Sequence, residues 1–109
     1  MQCIYRVLVL GDTKGFAPIY DALSNNDSRK KRIKDVKGAL ENDQIIGDPI
    51  PFDRWPKKFR KEFDCLYRVR LSDSDRLLYT ISVDPRTNQK IALMLKIMSH
   101  REYDRLFKY

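Results

Sequence analysis

Three consecutive segments in the C-terminal part of the chain alternate between apolar and polar residues, and this pattern constrains the fold more than any other feature. The segments cover residues 65–71, 76–83 and 91–98. Ser-Asp-Ser-Asp separates the first two, and Asp-Pro-Arg-Thr-Asn-Gln separates the second from the third. Alternation with a period of two is typical of half-buried strands, and short polar linkers of this composition form turns. The sequence therefore predicts an antiparallel meander of three strands.

The residues before the meander predict one buried strand and a first helix. Residues 3–10 are apolar on both parities apart from Arg6, which is typical of a strand buried on both faces. An apolar stripe with helical spacing begins at Phe16 and continues to Leu23. Pro18 is tolerated only in the first turn of a helix, so we expect this helix to begin near residues 15–17.

A second helix is expected to follow, capped by Asp27 or Ser28 and ending near Asn42, with its basic side chains outward as a solvated face. A short terminal helix closes the chain. The predicted order is strand, helix, helix, three strands and helix, which is an α+β fold with two helices packed on one face of a small sheet. We expect residues 1–109 to form a single domain, since the chain is short for more than one.

Composition narrows the classes of protein that this chain can be. Lys and Arg outnumber Asp and Glu by 22 to 15, a net charge of +7, and six of the basic residues lie within residues 28–42. Such a surface favours a polyanionic partner, either nucleic acid or an acidic protein. No apolar run approaches the roughly 20 residues of a membrane helix, and the start of the sequence does not resemble a signal peptide. Cys3 and Cys65 have neither disulfide-scaffold nor metal-site spacing, so we expect a cytoplasmic protein without a metal.

Strand parity predicts which side chains share a surface. Odd-numbered residues are the more apolar set in all three meander strands, so we expect them to face the helices. The opposite, exposed face then carries the even-numbered residues, which are Arg68, Arg70, Arg76, Lys96 and, if the last strand extends far enough, His100. Antiparallel pairing brings Arg70, Arg76 and His100 to the same rim of that face.

This rim has a composition suited to phosphodiester chemistry. Guanidinium groups bind phosphate bidentately and stabilise the charge that develops on it. A histidine, whose ordinary pKa is near 6.5, transfers protons at neutral pH. RNA supplies its own nucleophile, the 2′-hydroxyl. Ordinary exposed strand arginines, with a histidine at a strand end, are an equally good interpretation of the pattern.

A second basic segment is Lys57, Lys58, Arg60 and Lys61, which is interleaved with aromatic residues. Cations next to aromatic rings are typical of surfaces that bind single-stranded RNA. The alternative is an amphipathic turn whose aromatic side chains complete the core.

The hairpin segments Leu-Tyr-Arg-Val-Arg (66–70) and Asp-Arg-Leu-Leu-Tyr (75–79), followed by Ser-His-Arg-Glu-Tyr-Asp (99–104), resemble the RelE/ParE toxin superfamily. The order of the elements is also similar. The resemblance implies a toxin that an antitoxin neutralises. It further implies a ribonuclease that cuts mRNA on the ribosome without a metal or cofactor, through in-line attack by the 2′-oxygen.

By the same resemblance, Arg76 holds the scissile phosphate and Arg70 contacts a further phosphate. His100 is the general acid or base, and Arg101 is an alternative acid. Tyr103 or Phe107 would stack on a base. The antitoxin is expected to cover the cationic face or to displace residues 101–109.

Two other functions stay open at this point. The ParE branch of the superfamily inhibits DNA gyrase and is not a nuclease, and a basic domain can also bind RNA or the ribosome without chemistry. Retention of Arg70, Arg76 and His100 favours the ribonuclease.

Overall fold

The computed structural model describes residues 7–107, which form a five-stranded sheet with helices on both faces. No helix among these residues is long and apolar enough to cross a membrane. In chain order the elements are strand β1 (Val7–Gly11), helices α1 (Ala17–Ala22) and α2 (Ser28–Glu41), strand β2 (Asp48–Pro49), a 3-10 turn (Phe52–Arg54), helix α3 (Lys57–Glu62), strands β3 (Tyr67–Arg70), β4 (Asp75–Val83) and β5 (Lys90–Ser99), and helix α4 (His100–Leu106).

The two N-terminal helices begin and end close to where the sequence predicts. Pro18 lies in the first turn of α1, where its missing N–H is not needed. The Asp27 carboxylate caps α2 by accepting the backbone N–H of Arg29 at 2.8 Å, and Asn42 is the C-cap. Residues 3–6 of the predicted first strand lie outside the described residues, and the described part of that strand begins at Val7.

The predicted meander is confirmed, and the sheet is wider than the sequence indicates. The strand order is β1-β5-β4-β3-β2. Strand β1 runs parallel to β5, and the other neighbours are antiparallel. Two elements are added to the predicted set. One is the two-residue strand β2, which lies in a segment that the sequence assigns to a loop and pairs with β3, and the other is helix α3.

A β-bulge changes the predicted side-chain parity of β5. Leu78 is paired with Lys96, but the next residue of β4, Tyr79, is paired with Met94, so Leu95 has no partner in β4. One extra residue turns the rest of the strand over, since side chains alternate between faces. Consequently Met94 and Ala92 pack under the helices, whereas the sequence prediction put the odd-numbered residues there throughout. The prediction holds for Ile97, beyond the bulge.

The sheet has an apolar cluster on each face. The larger one lies under α1 and α2 and includes Ile33, Val36, Leu40, Leu77 and Tyr79. The smaller one joins Trp55, Leu66 and Leu78 to Tyr103 of α4 and to Phe107, the C-cap of that helix, with Phe59 of α3 at its edge. The face that the sequence predicts to be exposed is therefore partly covered, and the part near the β3–β4 turn opens to solvent as a cleft.

Candidate functional site

A cleft of about 510 Å³ lies on the half-covered face of the sheet, between the β3–β4 hairpin and α4. Four arginines and two aspartates line it, so its net charge is +2 apart from His100. A concave site with this excess of guanidinium groups favours an anionic ligand. The lining residues are Arg32, Gly47, Asp48, Arg68, Val69, Arg70, Arg76, His100, Tyr103 and Asp104.

The β3–β4 hairpin places two arginines directly opposite each other. Arg70 and Arg76 are Cα partners in the antiparallel ladder, and both side chains reach the cleft. Like charges at directly opposed positions destabilise a sheet. Arg70 is exposed and makes no ion pair within residues 7–107. The pair is therefore unfavourable for the fold alone, and an anion bound between the two guanidinium groups would offset the repulsion.

The Arg76 guanidinium is held from one side. Its Nη1 donates to the carbonyl oxygens of Ser72 and Asp75, each at 3.1 Å. Among the described residues these are its hydrogen bonds, and both use Nη1. The Nε–Nη2 edge, which matches two oxygens of a phosphate, stays available.

The turn between β3 and β4 is anchored to α2 by Arg29. The guanidinium donates to the carboxylate of Asp75 at 2.8 Å and to that of Asp27 at 2.8 and 3.0 Å. The hydrogen bonds from Arg29 lower the pKa of the Asp27 carboxyl to about 2, and those two carboxylates raise the pKa of Arg29 above its ordinary value. Arg29 therefore links the first turn of α2 to the residue that precedes Arg76, and it is not the freely solvated cation that the sequence predicts.

His100 enters the cleft as the first residue of α4. Strand β5 ends at Ser99, whose hydroxyl forms a capping box with Glu102. The prediction that strand β5 extends past Ser99 to His100 is wrong, although His100 does line the same cleft as Arg76. The ladder pairs Arg76 with Met98, and the His100 backbone N–H donates to the Ser74 carbonyl at 2.6 Å.

Asp104 is an acidic partner of His100 that the sequence analysis missed. The His100 Nε2 lies 3.1 Å from the Asp104 Oδ2, and the imidazole is about half exposed. The two residues are four apart in α4, so they lie on one helical face. That i, i+4 spacing is the sequence signal that could have predicted the pair. A carboxylate on Nε2 fixes the orientation of the ring and leaves Nδ1 available to a ligand.

Arg68 and Tyr103 meet at the back of the cleft. The Arg68 Nη1 donates to the Tyr103 hydroxyl at 2.9 Å, and the guanidinium carbon lies 5.4 Å from the centre of the tyrosine ring. The Tyr103 side chain is buried, with only 2% of its surface exposed. The two residues therefore form a fixed wall, and burial leaves the Tyr103 ring without the open face that base stacking needs.

The far wall is formed by a loop that approaches β3 closely. Gly47 has a φ of 87°, and a side chain there would collide with the Arg68 carbonyl oxygen. The preceding residue is held by Tyr79, whose hydroxyl donates to the Ile46 carbonyl at 2.7 Å, and burial raises the pKa of that hydroxyl to about 12. This arrangement brings Asp48 to the cleft. No sequence pattern marks Asp48, and Arg32 was predicted to be on a solvated helix face.

A comparison with solved structures bears on the fold. No protein-family model and no curated protein sequence matches the chain. A solved structure does match, a YoeB/ParE toxin from Agrobacterium tumefaciens, with a TM-score of 0.57 and 14% sequence identity. The match covers 86% of this chain and 99% of the toxin. The chain has the YoeB/ParE toxin fold. The fold expected from the sequence resemblance is thereby confirmed, and identity this low establishes the fold alone.

On this toxin fold the predicted site residues separate into two groups. The cleft brings together Arg68, Arg70, Arg76, His100 and Tyr103. Arg101 is exposed and does not line it. The remaining predicted residues also lie elsewhere on the fold.

Helix α4 separates the cleft from the other predicted RNA contacts. Lys58 and Lys96 line a different groove beside α3. Phe59 of α3 and Leu106 of α4 also line this groove. Lys57 and Lys61 are exposed on α3, and Arg60 stacks over Phe52 and donates to the Asp53 carbonyl. The amphipathic alternative describes this helix better, since Phe59 and Phe63 pack against the smaller apolar cluster.

Phe107 is not available for the base stacking that the sequence resemblance implies. Its side chain is fully buried, with ring contacts to Tyr103 at 5.0 Å and Phe59 at 6.0 Å. Stacking on a base needs an open ring face. Phe107 instead attaches α4 to the toxin fold.

Metal ligands are not clustered in the part of the chain that the structure describes. Residues 7–107 contain no group of three or more His, Cys, Asp or Glu side chains placed to hold a metal ion.

Proposed function

We propose that this protein is the toxin of a type II toxin–antitoxin module, an endoribonuclease that cleaves mRNA on the ribosome through attack by the 2′-hydroxyl, without a metal. The observation that carries the proposal is the convergence of Arg70, Arg76 and His100 in one cationic cleft on a YoeB/ParE toxin fold.

The arginines supply binding and charge stabilisation. The Nε–Nη2 edge of Arg76 is directed to two non-bridging oxygens of the scissile phosphate, and Arg70 opposite it takes a neighbouring phosphate or shares the same one. Negative charge grows on these oxygens as the phosphorus becomes five-coordinate. Fixed guanidinium groups therefore stabilise the transition state more than the ground state.

His100 moves the proton. With Nε2 directed to Asp104, the neutral ring offers Nδ1 as acceptor for the proton of the 2′-hydroxyl. The 2′-oxygen forms a bond to phosphorus and the bond to the 5′-oxygen breaks, which gives a 2′,3′-cyclic phosphate and a 5′-hydroxyl end. Water protonates the leaving 5′-oxygen, since Arg101 does not line the cleft.

The partner implied is a cognate antitoxin with an acidic segment. Covering the cleft would keep RNA out of it, and displacing residues 101–109 would take Asp104 away from His100. The net positive charge of the cleft supports an acidic antitoxin segment.

The proposal is tested by adding the protein to a translating extract and mapping mRNA breaks by primer extension. We expect cuts within codons with the wild-type protein and with Arg86→Ala, a matched control in the exposed β4–β5 turn. We expect none with Arg76→Ala. Intact mRNA with well-folded wild-type protein would contradict the proposal.

A gyrase inhibitor is the second candidate. The matching structure carries the ParE name beside YoeB, and the ParE branch of the superfamily inhibits DNA gyrase. Blocked DNA supercoiling together with intact mRNA would establish it. Binding to RNA or ribosomes with neither effect would indicate a module without chemistry.

A further inference from the structure

Strand β1 leaves one edge of the sheet unpaired. It is the first strand in the sheet order and, within residues 7–107, it pairs with β5 alone. The Asp12 N–H donates to the Met94 carbonyl at 2.8 Å. Alternate residues of a parallel strand direct their backbone groups to opposite edges of the strand. Because Asp12 faces β5, the residues one and three positions before it, Gly11 and Val9, direct their backbone groups to the open edge. An open edge of this kind is a template for another strand.

An apolar groove of about 210 Å³ lies beside this edge, between β1 and the two N-terminal helices. Val9, Phe16, Tyr20, Ile33 and Met94 contribute its apolar surface. On the strand itself Leu8 and Leu10 are 39% and 45% exposed. A strand added here would thus meet apolar surface on both of its faces.

The rim of the groove is cationic. Lys34 and Lys37 of α2 line it, and Lys37 has only a loose ion pair, with its Nζ 3.7 Å from a Glu41 carboxylate oxygen. A second copy of this chain would place the same two lysines at the interface, and that copy also carries a net charge of +7. Like charges oppose that pairing, whereas acidic side chains favour it.

We propose that an extended acidic segment of a partner protein docks as an added strand on the open edge of β1. Its alternate apolar side chains fill the groove, and its carboxylates pair with Lys34 and Lys37. The site lies across the sheet from the hairpin that carries Arg70 and Arg76, so a docked segment leaves the cleft open. The inference therefore goes beyond RNA cleavage and does not depend on it.

The test titrates the purified full-length protein with fluorescent eight-residue peptides. One peptide alternates Val and Glu, a second replaces each Glu by Lys, and a third carries the first sequence with alternate amides N-methylated to remove strand pairing. We expect the Val/Glu peptide to bind one to one and about tenfold or more tightly than either other peptide. We also expect it to slow hydrogen exchange at the amides of Val9 and Gly11.

Matched variants locate the binding. Lys34→Glu should weaken binding of the Val/Glu peptide about tenfold. Lys31→Glu makes the same charge change at an exposed position of α2 that does not line the groove, and we expect about twofold or less.

The proposal is overturned if the three peptides bind alike, if none binds at millimolar concentration, or if both lysine variants weaken binding equally. Exchange protection in the cleft instead of at β1 would also overturn it. A concentration-dependent dimer that protects Val9 and Gly11 without peptide would show that the occupant is a second copy of this chain.

Discussion

The face of the sheet under α1 and α2 is closed by apolar side chains, whereas the opposite face is divided between an apolar part under α4 and the open cleft. Adjacent residues of β4 illustrate the difference. Leu77 is fully buried in the larger cluster, and Arg76 lies half-buried at the cleft. Successive side chains of one strand point to opposite faces of the sheet. The alternation that directs Leu77 into the core therefore also directs Arg76 to the cleft.

The two faces also differ in their local energetics. The closed face gains stability from apolar burial and carries no opposed like charges among the residues of its cluster. The cleft opposes Arg70 to Arg76 and keeps His100 half exposed. Unfavourable local arrangements of this kind concentrate at functional sites, where ligand binding offsets them. Stability and activity should therefore respond separately to changes on the two faces.

Neighbouring substitutions on β4 test this separation most strongly. Leu77→Ala should lower the free energy of unfolding by about 2–5 kcal/mol, because it leaves a cavity in the larger cluster. Arg76→Ala should leave the urea midpoint within error and slow mRNA cleavage by about 10²–10³. Undiminished growth arrest from well-expressed Arg76→Ala protein would rule out the assigned role.

His100→Gln, which keeps size and hydrogen bonding, should slow cleavage by about 10² and leave RNA affinity nearly unchanged. Measuring single-turnover rates and filter-binding affinity between pH 5 and 8 separates chemistry from binding. A wild-type rate across that range would exclude proton transfer by His100.

Arg29→Met should lower activity through position rather than contact. Loss of the links to Asp27 and Asp75 frees the turn before Arg76, so we expect about a tenfold slower cleavage step and about 1 kcal/mol lower stability. Lys31→Met on the same helix is the control. Equal effects of the two substitutions would show that general charge, not the anchored turn, is responsible.

The smallest expected effect is a pH dependence from Asp27. Its pKa is lowered to about 2 in the folded protein by hydrogen bonds from Arg29. A lowered carboxyl pKa adds stability that is complete above the unfolded value, near 4, and is lost as the pH falls through about 2. The urea midpoints of the wild type and Asp27→Asn should therefore differ at pH 5 and converge toward pH 2. A constant difference would contradict the ion-pair explanation.

The meander, both N-terminal helices and the opposition of Arg70 to Arg76 follow from alternation and helical spacing, which are local properties. The bulge at Leu95 cannot be predicted in this way. One extra residue reverses which side chains face the helices, and the apolar and polar pattern of the strand does not mark where that happens. Asp48 lies at the cleft because the backbone at Gly47 packs closely against β3. This is a tertiary contact, and no local sequence pattern predicts it.

The prediction that Phe107 contacts RNA is wrong for a different reason. Burial decides whether an aromatic ring can stack on a base, and strand parity cannot predict how a terminal helix covers the sheet. The same covering places Lys96 in another groove, although its side of the sheet was predicted correctly.

The central claim is that the cleft directs a 2′-hydroxyl onto the adjacent phosphate. The direct measurement is cleavage of ribosome-bound mRNA that carries a single 2′-deoxy nucleotide at the mapped cut, with analysis of the ends from the unmodified message. We expect no cut at the deoxy position, and we expect 2′,3′-cyclic phosphate (or 3′-phosphate) and 5′-hydroxyl ends from the unmodified RNA. Cleavage of the deoxy substrate at the normal rate, or 3′-hydroxyl and 5′-phosphate ends, would contradict it.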